Sequence, residues 1–69
     1  MKEKYLKILK IFANKKSEKI YHLRTRDIAD AAELTIYQAR QRLEYLNGIG
    51  MVESVASGKG KSTIWKLIN

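Results

Sequence analysis

A chain of 69 residues without cysteine has no disulfide framework and no thiolate metal site to compensate for a small core. A single domain of this length buries only about 60% of its unfolded surface, which leaves little room for an enclosed catalytic cleft. Fourteen Lys and Arg against seven Asp and Glu give a formal charge of +7, with a pI near 9.9, so the expected partner is acidic: nucleic acid or an anionic membrane.

In the first segment Lys4, Lys7, Lys10 and Asn14 recur in steps of three or four, while Tyr5, Leu6, Ile8, Leu9, Ile11, Phe12 and Ala13 fill the remaining arc. This is an amphipathic helix with a wide buried face, its lysine stripe an ordinary solvated surface. It lacks the Trp or Phe anchors of a membrane-surface helix, and Phe12 is better placed in the core. Met1-Lys2-Glu3-Lys4 leads into this pattern instead of a signal core, and apolar runs are short throughout, so a soluble cytoplasmic protein is expected.

Residues 14–19 carry no periodicity and read as a loop; Ile20 to Arg24 has the β-branched and aromatic character of a short strand. Thr25 then serves as N-cap of a short helix beginning near Arg26, with Asp27 in its positive first turn and Ile28, Ala29 and Ala32 as a narrow apolar stripe. The pattern breaks at Glu33-Leu34. Thr35 is a second N-cap, opening a helix over residues 36–47 that ends where Gly48 can turn left-handed.

At 100° per residue Ala39, Leu43 and Leu46 share one side of this helix with Ile36, while Tyr37, Gln41 and Glu44 fall opposite, flanked by Gln38 and Arg40. Two helices joined by a tight turn, the second with a polar outer face, form a helix-turn-helix pattern. The runs 51–55 and 62–68 form a hairpin around a flexible basic loop, Ala56 to Lys61, with Trp65 and Leu67 on its core side. Helix, short strand, helix, helix, hairpin is the order of a winged helix, an α+β fold.

A helix in the major groove reads bases through bidentate pairs, Arg to guanine and Gln to adenine, and Arg40, Gln38 and Gln41 carry that chemistry. Tyr37, near the helix start, can meet a thymine methyl, a sugar or a phosphate. Arg42 lies beside the buried stripe, placed either to reach a phosphate or to pair with Glu33 or Asp30. Glu44 would be repelled by phosphate and marks where contact stops. Lys59 and Lys61 put cations on the loop for the backbone or minor groove, and Arg26, with Arg24, flanks the helix start that faces the backbone.

No constellation supports catalysis. The run Gly58-Lys59-Gly60-Lys61-Ser62-Thr63 lacks the first glycine of a phosphate-binding loop, that position being Val55, and it leads into a strand pattern. Thr63 and Glu53 stand where a dinucleotide fingerprint needs its third glycine. His22 is the sole histidine, so no metal cluster or nucleophilic dyad is expected, and no cofactor.

The stretch "RTRDIADAAELTIYQARQRLEYLNGIGMV", with "KSTIWKLI" near the end of the chain, resembles the PapI/FaeA/PefI family of small regulators of bacterial fimbrial operons over nearly the whole length. Tyr37-Gln38-Ala39-Arg40 followed by Leu43 is its most specific part; Asp27-Ile28-Ala29-Asp30 and the strand entry at Gly50-Met51-Val52 are shared with many winged helices. The resemblance implies a winged-helix DNA-binding protein acting at promoters with methylatable GATC sites, often together with the leucine-responsive regulatory protein. It gives the recognition role to Tyr37, Gln38 and Arg40 and the wing role to Lys59 and Lys61. Two departures stand out. Glu33 occupies a turn position where glycine is common, at a cost of about 1 kcal/mol if a positive φ is required. Gln41-Arg42 replaces aromatic residues, so base preference need not follow that of relatives. The expected partner is thus double-stranded promoter DNA, with a monomer favoured and Arg26, Thr35, Tyr37, Gln38, Arg40, Gln41, Arg42, Lys59 and Lys61 as contact residues. The alternative is an interaction module that docks on a larger DNA-bound regulator.

Overall fold

The computed structural model describes residues 1–55 and 63–68. Six elements follow one another: α1 (Glu3–Ser17), β1 (Leu23–Arg24), α2 (Thr25–Ala32), α3 (Ile36–Gly48), β2 (Val52–Val55) and β3 (Ile64–Leu67). The strands form one antiparallel sheet in the order β1-β3-β2, with Leu23 opposite Trp65 and Val52 opposite Leu67. Three helices with this sheet make a winged helix-turn-helix, as the order of patterns predicts.

α1 runs further than its periodicity suggests. The expected loop at 14–19 is helical as far as Ser17, whose Oγ donates to the Asn14 carbonyl at 2.6 Å. Lys15 and Lys16 form helices well and suit the negative end of the helix dipole. Its buried stripe is narrower than expected: Ile8 and Phe12 are buried and Tyr5, Leu9 and Ile11 pack partly against the core, whereas Leu6 and Ala13 are exposed. Only one side of α1 meets the rest of so small a protein.

All three helices end in the same hydrogen-bonded turn. After α1, Ile20 N–H donates to Lys15 O and Lys19 N–H to Lys16 O; after α2, Leu34 to Ala29 and Glu33 to Asp30; after α3, Met51 to Leu46 and Gly50 to Asn47. This double bond pattern is the Schellman motif, and it demands a left-handed residue at its hinge. Lys19 (φ 64), Glu33 (φ 59) and Gly50 (φ 80) supply it. The hinge of α3 is therefore Gly50, not Gly48, because the helix includes Gly48 and passes through Ile49 before turning. The left-handed exit at Lys19 also explains why the expected strand 20–24 contracts to two residues: the chain meets β3 only at Leu23, leaving Ile20 and Tyr21 exposed.

Thr25 does not cap α2 but is its first residue, and Arg24 stands at the N-cap. Buried Thr25 accepts the indole N–H of Trp65 on Oγ1 at 2.8 Å, and its own N–H donates to Thr63 O at 3.2 Å. These bonds fasten the start of α2 to β3. Trp65 faces inward, as alternation predicts, and joins Ile8, Phe12, Leu23, Ile28, Leu43, Leu46 and Val52 in one core, with Leu67 half-buried against it.

Candidate nucleic-acid interface

Geometry at the start of α3 follows from its cap. Thr35 Oγ1 accepts the Gln38 N–H at 3.0 Å while Gln38 Oε1 accepts the Thr35 N–H at 3.1 Å, a reciprocal capping box that satisfies two otherwise unpaired donors. Ala39, Leu43 and Leu46 are buried beneath, so Tyr37, Gln38, Arg40, Gln41 and Glu44 emerge together. Tyr37 is 76% exposed, the most of the large apolar residues described. Ile36 was expected on the buried side; its angle is right, but it sits at the very start of the helix, beyond the core, and is exposed.

Arg40 donates from Nε to Glu44 Oε2 at 3.2 Å, one turn further along α3. Glu44 is thus the ion-pair partner of the central arginine, a role the sequence reading missed although four-residue spacing on a helix is its usual signal. Arg42 lies half-buried at the rim of the core, and among the described residues it forms no ion pair with Asp30 or Glu33.

Arg26, in the first turn of α2, is exposed, and it reaches the same side of the molecule as Arg40. The two arginines line one shallow depression with Thr25, Ile36 and Thr63, where α2, α3 and the beginning of β3 converge. Arg24 behaves differently. Its guanidinium meets the Asp27 carboxylate at 3.0 and 3.2 Å, and Asp27 also accepts the Arg24 backbone N–H at 3.0 Å. This hydrogen bonding holds the Asp27 carboxyl below its ordinary value and raises the Arg24 guanidinium above its own. Of the two arginines flanking α2, Arg24 is a capping residue and Arg26 the one turned to the depression. Lys59 and Lys61 lie outside the described residues.

The arrangement offers donors and cations on the exposed face of a helix. Among the described residues no three His, Asp or Glu side chains gather as a metal site, and no helix is long and apolar enough to cross a membrane. No curated protein matches the chain. The family model described as FaeA-like protein matches residues 1–69.

Proposed function

The chain belongs to the FaeA-like family, and from that membership we propose that it is a DNA-binding transcriptional regulator of a bacterial fimbrial operon, most like PefI within the group. α3 enters the major groove with Tyr37, Gln38, Arg40 and Gln41 toward the bases, while Arg26, Thr35, Arg42 and the wing lysines Lys59 and Lys61 hold the backbone. The observation that carries this reading is the common outward face of α3, whose reading side chains are exposed while Ala39 and Leu43 anchor the opposite side.

The protein works in the cytoplasm on double-stranded promoter DNA, as a monomer. A lone module of 8.0 kDa reads a short site, so the leucine-responsive regulatory protein bound nearby is the proposed source of added specificity. The decisive test is competition titration of a fimbrial promoter duplex against random duplex. Arg40→Ala should lower the ratio of specific to random affinity by roughly 1–3 kcal/mol, the worth of one good base contact. An unchanged ratio removes Arg40 from the reading set.

A second reading has one observation in its favour. Tyr37 and Ile36 expose apolar surface on the helix that carries Glu44, a composition suited to a protein surface as well as to DNA. Under it the chain docks on a DNA-bound regulator and touches DNA little. Duplex titration with and without the leucine-responsive regulatory protein separates the two, since binding only in the ternary mixture selects the second.

A further inference from the structure

The side-chain amide of Gln38 is held in one sense. Its Oε1 accepts the Thr35 N–H at 3.1 Å, and within a carboxamide only the oxygen can accept, so the NH₂ is the end left to face a partner. Adenine recognition by glutamine uses both ends, accepting from N6 and donating to N7. The Gln38 oxygen keeps a second lone pair, but its bond to the Thr35 N–H holds it at the helix start. Arg40, two residues on, adds only donors, and its Nε already serves Glu44 at 3.2 Å, which leaves its terminal nitrogens.

We propose that the capping box makes Gln38 a donor-only reader, so that the base it meets is guanine, whose major-groove edge presents the acceptors O6 and N7, and adenine is disfavoured there. This rests on the DNA-binding reading of α3. Adenine offers one acceptor and one donor, and its N6–H would face the Gln38 NH₂ donor to donor. Bidentate adenine recognition would require the oxygen to leave its place at the cap for the base edge, leaving the Thr35 N–H without its partner at the start of the helix. Thr35 is accordingly a positioning residue for base choice, through Gln38, beyond any contact of its own with phosphate.

The test is enrichment of duplexes from a randomised pool with the full chain, repeated with Gln38→Ala and Gln38→Glu. The wild-type sites should carry a guanine whose preference disappears in Gln38→Ala. Replacing that guanine by 7-deazaguanine should weaken wild-type binding about tenfold, the worth of one lost base contact, and leave Gln38→Ala unaffected. Gln38→Glu keeps an oxygen for the Thr35 N–H, so its melting temperature should match the wild type while the guanine preference is lost; that variant separates reading from capping. The proposal is overturned if the position relaxed in Gln38→Ala is an adenine, or if the wild type selects a sequence and no position relaxes. A wild-type chain that enriches nothing overturns the DNA-binding reading itself, and this proposal with it.

Discussion

Thr25 and Trp65 are separated by 40 residues and meet in the core through one hydrogen bond of 2.8 Å. Thr25→Val keeps the shape but leaves the buried indole N–H without an acceptor, a loss of about 1–3 kcal/mol. Urea unfolding followed by fluorescence should record it as a lower midpoint. Asp27 gives a pH signature. Its carboxyl is held below the ordinary 3.8 mainly by the hydrogen bond from Arg24, so the stabilisation is present above that value and is lost as pH falls through the lowered one. The side chain is 38% exposed, so solvent screening limits the effect to about 0.5 kcal/mol. Asp27→Asn should be slightly less stable at neutral pH, with the difference vanishing at strongly acid pH in melting curves. Residues defined by local spacing were legible at this scale, as with the Thr35 cap and the outward turn of Tyr37. The role of Thr25 was not, since a threonine before a helix reads as a cap and nothing in its neighbourhood encodes a tryptophan arriving from β3.

Elements end where a residue tolerates the left-handed hinge, and the three hinges are chemically unequal. Glycine takes such a conformation without a Cβ penalty, whereas Lys19 and Glu33 incur about 1 kcal/mol each. Glu33→Gly should therefore stabilise the fold by up to about 1 kcal/mol. The two glycines after Asn47 should respond in opposite directions. Gly48 is helical with open space around a would-be Cβ, so Gly48→Ala should raise stability by roughly 0.5–1 kcal/mol. Gly50 sits at φ 80, and Gly50→Ala should lower stability by about 1 kcal/mol. Thermal melts of both variants check the pair. The sequence shows a glycine-rich exit from the helix, but periodicity cannot say which glycine turns, because one residue of extra helix costs little when the exit is solvent-exposed. Likewise the length of β1 depends on where the chain leaves α1 at Lys19, which the apolar character of Ile20 and Tyr21 conceals.

For the whole molecule, a formal charge of +7 on 69 residues sets the response of any DNA complex to salt. If the backbone-holding set supplies about four phosphate contacts, log affinity should fall with log salt at a slope near −3.6. Lys59→Ala with Lys61→Ala should flatten that slope by up to about 1.8, measured by anisotropy across a salt series. The order of helices and strands, and the core position of Trp65, were readable because each element is amphipathic at its own period. The ion pair across Arg40 and Glu44 was hidden only by reading the acid as a boundary instead of a neighbour.

The bond between Trp65 and Thr25 gives the chain its own optical gauge. Trp65 is the sole indole in the sequence, is 3% exposed and is tied at the nitrogen to the first turn of α2. Its emission colour therefore reports the packing of β3 against the helices without any added label. A shift to longer wavelength at a denaturant concentration where the helices persist would mean that this seam opens to water first.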